Sequence, residues 1–141
     1  MTPLEALQTT LAGEHAAVYV YGVIGGRLSS SAAPDLAAAV YSAYTTHRGR
    51  RDQLVTMVRA GGGAPVPAEV SYRMPNRAVT RKQLTDAALL TERRCSQVYA
   101  ELVRSTARAN RQFAIDALTD SAVRQLGFGG VGDAFPGAPE L

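Results

Sequence analysis

The stretch GGGAPVPAEVSYRMPNRAV, Gly61 to Val79, decides how the rest of the chain can be arranged. Three glycines open it and Pro65, Pro67 and Pro75 interrupt it, so no regular helix runs through. About nineteen residues of extended chain reach about 60 Å, whereas a helix of about 26 residues is only about 39 Å long. A connection of that reach can pass from one end of a helical bundle to the other. Val66, Val70, Tyr72 and Met74 give it apolar side chains with which to lie along the outside. The segments on either side are therefore read as two helical hairpins joined by a crossover.

Upstream, helical periodicity extends over about 3–29, where Thr2 can cap the start, Pro3 suits the first turn and SSSAAPD ends the run. Its apolar seam is Leu4, Leu7, Leu11, Glu14, Val18, Tyr21, Gly25 and Leu28, spaced by three and four. A second helix is read over 34–60, with the seam Leu36, Val40, Ala43, His47, then Arg50 or Arg51, then Leu54 and Val58. Only about five residues separate the two, so they pair antiparallel. Downstream, Thr80 and Gln83 form a capping-box pattern ahead of a helix over 80–105, whose seam is Leu84, Ala88, Glu92, Cys95, Tyr99 and Leu102. A fourth helix over 107–126 offers Phe113, Ile115, Leu118, Ala122, Val123 and Leu126 as its apolar face. The glycine- and proline-rich tail, 127–141, is expected to be pinned by Phe128, Val131 and Phe135. No strand and no internal repeat is read, and the whole chain, 1–141, makes one all-α domain.

Three polar residues interrupt these seams. Glu14, His47 and Glu92 fall mid-seam on three different helices, at similar depth in a bundle. A lone buried charge costs several kcal/mol or changes its protonation state, so these residues are expected to face one another. Tyr44, one turn before His47, can hydrogen-bond into the cluster, and Arg51, one turn beyond it, can pair with a carboxylate. Asp116 and Asp120 lie one turn apart on the fourth helix. His15 sits one position off the seam and reads as a partly exposed surface or interface histidine. The single cysteine, Cys95, rules out an internal disulfide framework and reads as a small buried hydrophobe, which favours a reducing compartment.

The runs EHAAVYVYG, HRGRRDQL, LLTERRCSQVYAEL, LTDSAV and the terminal FPGAPEL together resemble a ferritin-like domain family of unknown function found in actinobacterial proteins. The resemblance covers nearly the whole chain and implies an all-α ferritin-like four-helix bundle with its long crossover between the second and third helices, often assembled as a dimer. It supplies no established reaction. In ferritin-like carboxylate proteins two helices each give a glutamate to a di-iron centre and two each give Glu-x-x-His. Glu14 and Glu92 match the single glutamates and His47 matches one histidine. Tyr44 stands where the second helix would carry its glutamate, and the fourth helix has no Glu-x-x-His.

The favoured reading is thus a ferritin-like protein without an intact di-iron centre and without a cofactor, whose buried network of Glu14, Tyr44, His47, Arg51 and Glu92 is structural. The alternative is a metal-binding protein or oxidoreductase, mononuclear or atypically dinuclear, holding iron or manganese with Glu14, His47, Glu92 and Asp120. A third reading is a homodimeric interaction module using Gly22, Gly25 and Tyr21. No catalytic residue is assigned. A net charge of +3, with arginines scattered among acids, gives no sign of nucleic-acid binding. A content of 46% hydrophobic and 19% charged residues excludes general disorder. With no signal-peptide pattern and no apolar run of bilayer length, a cytoplasmic protein independent of membranes is expected.

Overall fold

The computed structural model describes residues 1–138; Pro139 to Leu141, which end both the FPGAPEL run and the tail 127–141, lie outside the described residues. Four helices make up the fold: α1 (Pro3–Arg27), α2 (Pro34–Ala60), α3 (Arg81–Ser105) and α4 (Arg108–Gly127). Thr2 and Thr80 each accept a backbone N–H three residues on, from Glu5 and Gln83, and both close full capping boxes. Pro34 occupies the first turn of α2, where its missing N–H costs nothing. Among the described residues there is no strand, and no helix is long and apolar enough to cross a membrane.

The connections set the directions. Gly63, just past the end of α2, lies against Leu4 at the start of α1, and Arg27 at the end of α1 reaches the crossover just ahead of α3. The chain therefore runs up, down, returns through the crossover, then down and up again. The crossover follows α1 for its whole length. Gln8 donates to the Ala64 carbonyl at 2.6 Å and accepts from the Val66 N–H at 2.9 Å. His15 Nε2 meets the Val66 carbonyl at 3.0 Å, and Tyr19 packs on Tyr72 with ring centroids 5.6 Å apart. Arg27 donates to the Arg77 carbonyl at 2.9 Å. Val66, Tyr72 and Met74 are half-buried by this, whereas Val70 points to solvent. His15 is thus part of the strapping and not of the buried cluster.

α1 packs on α2 and on α3, and α3 on α4, while α2 and α4 touch only sparsely. The core is divided. One apolar cluster, around Tyr21, Ile24, Val40, Leu84 and Phe128, fills one end, and a second, around Leu11, Leu54, Val58, Tyr99 and Leu102, fills the other. Glu14, His47 and Glu92 lie between them, all 0% exposed.

Two expectations fail at the C-terminal side. The inner face of α4 is Ala114, Ala117 and Ser121, while Ile115, Val123 and Leu126 are exposed. Small side chains let α4 lie close to α3, and that closeness, not side-chain size, sets which face is buried. Among the described residues of the tail only Phe128 is buried; Val131 and Phe135 are exposed. Gly137 does the remaining anchoring: at φ +76° it crosses α3 so tightly that a Cβ would sit 2.2 Å from the Ser96 carbonyl oxygen.

Candidate functional site

The polar layer is built from pairs of residues seven apart, two turns along one helix face. α1 contributes Glu14 and Tyr21, and α3 contributes Glu92 and Tyr99. Because α1 and α3 run antiparallel, the pairs bond crosswise. The Tyr99 hydroxyl donates to Glu14 Oε1 at 2.5 Å, and the Tyr21 hydroxyl donates to Glu92 Oε1 at 2.6 Å. His47 from α2 closes the ring between the two carboxylates, with Nδ1 2.6 Å from Glu14 Oε2 and Nε2 3.0 Å from Glu92 Oε1. Both acceptors are carboxylate oxygens, so only an imidazolium can satisfy both contacts by donating from each nitrogen. The His47 ring also stacks on Tyr21, with centroids 5.3 Å apart.

The electrostatics agree. Burial works against a charged imidazole, but the Glu14 and Glu92 carboxylates outweigh it and His47 is pushed up to about 9. Burial likewise opposes ionisation of Glu92; the hydrogen bond and charge of His47, aided by Tyr21 and Ser121, overcome it and hold Glu92 below the usual carboxylate value. Tyr21 and Tyr99 are pushed well above the ordinary phenol value, by burial first and then by the carboxylates they bond. They are fixed as donors.

A second polar group closes the sparse side between α2 and α4. Arg50 donates to Asp120 Oδ2 at 2.6 Å and to Ser121 Oγ at 3.2 Å, and its guanidinium lies 5.5 Å from the centre of the Tyr99 ring. Burial opposes its charge, and the Glu14, Asp120 and Glu92 carboxylates, with the face of the Tyr99 ring, more than restore it. Arg124 donates to Asp120 at 2.8 Å and to Thr46 at 2.9 Å, so it ties α4 back to α2. Glu14, Glu92 and Asp120 thus face His47, Arg50 and Arg124, three negative groups against three positive. The centre is neutral without any added ion.

Glu14, His47 and Glu92 meet as the seams suggested; the other assigned residues do not join them. Arg51 turns outward and pairs with its neighbour Asp52, and Arg50 takes the inner place, because the buried positions on α2 run His47, Arg50, Leu54, Val58. Tyr44 makes no hydrogen bond to the cluster among the described residues; it is half-buried under the Arg48 guanidinium. Asp120 sits on the α2 side of α4, held by two arginines away from the carboxylates. Asp116 is exposed and accepts from Gln112. Tyr21 is wholly buried with its hydroxyl inward, so it belongs to no dimer surface.

The inward phenols of Tyr21 and Tyr99, the inner place of Arg50, and Cys95 were missed from the sequence as members of the centre. The inward phenol of Tyr99 had a signal available in the repeated Glu-x6-Tyr spacing of α1 and α3. Cys95 had none beyond its seam position: its sulfur, one Glu14 oxygen and one His47 nitrogen lie within 4.8 Å of one another.

The family described as "Domain of unknown function (DUF4439)" matches residues 6–140. The chain belongs to this family. Its fold is similar to that of a conserved hypothetical protein, rv2844, from Mycobacterium tuberculosis, at 29% identity and a TM-score of 0.83, covering 90% of this chain and 94% of that one. It is also similar to a ferritin-like, diiron-carboxylate protein from Bacillus anthracis str. Ames, at 18% identity and a TM-score of 0.74, covering 90% of this chain and 92% of that one. No curated protein matches. The bundle is ferritin-like.

The donor set does not fit a pair of irons. α4 presents Ala114, Ala117 and Ser121 to the centre, none of them a metal ligand, and α2 supplies no carboxylate. Two glutamates and one imidazole remain where four carboxylates and two histidines would be needed. Arg50 adds a fixed positive charge beside them.

Proposed function

We propose that this DUF4439 chain is a ferritin-like bundle without an intact di-iron centre, in which the Glu14–His47–Glu92 layer is a structural network. The observation that carries this reading is the double engagement of His47: both nitrogens are taken up by carboxylates whose other hydrogen bonds come from Tyr21 and Tyr99. A proton shared through imidazolium does here what a metal does in a carboxylate bundle, which is to hold acidic groups from separate helices together. The match in Mycobacterium tuberculosis supports an actinobacterial setting, and the one free, buried cysteine suits a reducing cytoplasm. The test is aerobic titration with ferrous iron followed by iron and protein assay of the desalted chain. Fewer than two irons per chain and no oxo-bridged chromophore are expected. Two irons per chain, lost on Glu92→Ala, would overturn the reading.

A second reading, a homodimer, is favoured by the unpartnered apolar side chains Ile115, Val123 and Leu126 along the outer side of α4. Sedimentation velocity across micromolar concentrations should show a dimer that Val123→Glu disperses; monomer throughout would exclude it.

A further inference from the structure

We infer that the Glu14, His47 and Cys95 side chains form a site for one zinc-class divalent cation, and that the proton-bridged network is the metal-free state of that site. The inference goes beyond the proposed function, which concerns an iron pair. One ligand atom from each of the three residues lies within 4.8 Å of the other two, and all three residues are buried. In a tetrahedral zinc site with bonds of about 2.0–2.3 Å, donor atoms stand roughly 3.3–3.8 Å apart. The His47 Nδ1 to Glu14 Oε2 contact of 2.6 Å is a hydrogen-bond length, and it opens by about 1 Å when a cation replaces the shared proton.

The surroundings are those of a prepared ligand set. Metal-ligating histidines characteristically donate their other ring N–H to a carboxylate. With Nδ1 on the cation, His47 Nε2–H keeps its contact with Glu92 Oε1 at 3.0 Å. Tyr99 holds Glu14 through Oε1, leaving Oε2 for the ion. Tyr21 in turn fixes Glu92, whose other oxygen, Oε2, is buried and without a hydrogen-bond partner among the described residues. A crevice of about 120 Å³ between α1 and α3, lined by Gly13, Ala16, Ala17, Thr91 and Arg94, also has Cys95 in its wall. The small residues on α1 leave it space for a water molecule beside that residue.

A divalent cation held by one thiolate, one carboxylate and one neutral imidazole has both of its charges balanced within the ligand set. The centre stays neutral with Arg50, Arg124 and Asp120 in place. A second divalent ion would leave two charges uncompensated, which limits the stoichiometry to one. The sulfur, imidazole and carboxylate donors select zinc, cobalt or ferrous iron over magnesium and calcium.

The experiment is an anaerobic titration of the reduced, full-length chain with cobalt(II), followed by back-titration with zinc. One cobalt per chain is expected, with tetrahedral visible bands and an intense near-ultraviolet thiolate-to-cobalt band, all abolished by one equivalent of zinc. Since Cys95 is the only cysteine, a thiolate band in the unaltered chain can have no other source. Cys95→Ser should remove that band, and Glu92→Gln should keep the stoichiometry while weakening affinity by about 10- to 100-fold. Absence of cobalt uptake, or uptake without a thiolate band, would overturn the assignment. Neither result bears on the iron-pair test, which reads two irons per chain.

Discussion

Replacing Glu14 by Gln in metal-free protein separates an ionic network from a merely polar one. Glutamine keeps the shape and can still accept from Tyr99, but it removes the closer of the two charges that hold the His47 proton. The rise of His47 from 6.5 to about 9 corresponds to about 3 kcal/mol in favour of the protonated, folded form. Because the folded value lies above the unfolded one, that stability is fully present below pH 6.5 and is lost as the pH rises through about 9. Glu14 and Glu92 share that effect, so Glu14→Gln should cost on the order of 2–3 kcal/mol at pH 6, shifting the urea midpoint down by about 1–1.5 M for a slope near 2 kcal/mol/M. Near pH 10, where His47 is neutral in both proteins, the difference should shrink to about 1 kcal/mol, the worth of an ordinary hydrogen bond. Urea melts of both proteins at pH 6, 7.5 and 10 measure this, and the comparison cancels every group the two share. A loss that stays the same across that range would refute a charged His47 and with it the neutral three-against-three arrangement.

The two arginines after His47 should behave oppositely: Arg50→Met is expected to cost about 2–3 kcal/mol because it strips a buried partner from Asp120 and Ser121, while Arg51→Ala stays within about 0.5 kcal/mol. Equal effects in thermal melts would contradict the inner placement of Arg50. Tyr21→Phe and Tyr99→Phe should each cost about 1.5–3 kcal/mol, the worth of a buried hydrogen bond to a charged acceptor, and should be non-additive in the double variant by about 0.5 kcal/mol or more, since both carboxylates share His47. Denaturant melts that leave either variant unchanged would remove that phenol from the network. Gly137→Ala should release the tail from α3 while moving global stability by less than about 0.5 kcal/mol, because both the left-handed backbone and the approach to Ser96 become unfavourable. Faster proteolytic clipping after Gly132 with an unchanged melting curve is the expected pattern, and unchanged clipping would count against the crossing.

What the sequence disclosed followed from how far each residue's role depended on its own helix. The seams of α2 and α3 were readable because large apolar residues mark the buried face throughout: Leu36, Val40, Leu54 and Val58 on one, Leu84, Tyr99 and Leu102 on the other. Polar residues on those seams had to be inward, and Glu92 and His47 are. Arg50 and Arg51 were harder, since three and four residues past His47 both lie near the seam. The choice is settled only by the neighbouring helix that offers Asp120. α4 was misread for a related reason. Its buried face is alanine and serine and its exposed face carries Ile115, Val123 and Leu126, so hydrophobicity along the chain points the wrong way. Cys95 looked inert because nothing within its own helix announces that Glu14 and His47 lie beside it.

The crosswise Glu-x6-Tyr pairs also explain why such a layer can persist in a core that apolar residues would fill more cheaply. An antiparallel helix pair with uniform apolar seams can slide by one turn with little loss, because one leucine replaces another. Sliding α1 against α3 by four residues would set Glu14 opposite Cys95 or Val103 in place of Tyr99, and Glu92 opposite Ala17 or Gly25 in place of Tyr21. Both carboxylates would lose their phenol donors at once while remaining buried, at a cost of about 1–3 kcal/mol for each unsatisfied group and more for a charged one. The same slip would draw at least one carboxylate away from His47, whose two nitrogens face both acids only in the native alignment. The penalty falls on every wrong register and on none of the contacts in the right one. A polar layer that adds little net stability therefore fixes the alignment of three helices, the property that a single buried polar position supplies in coiled coils.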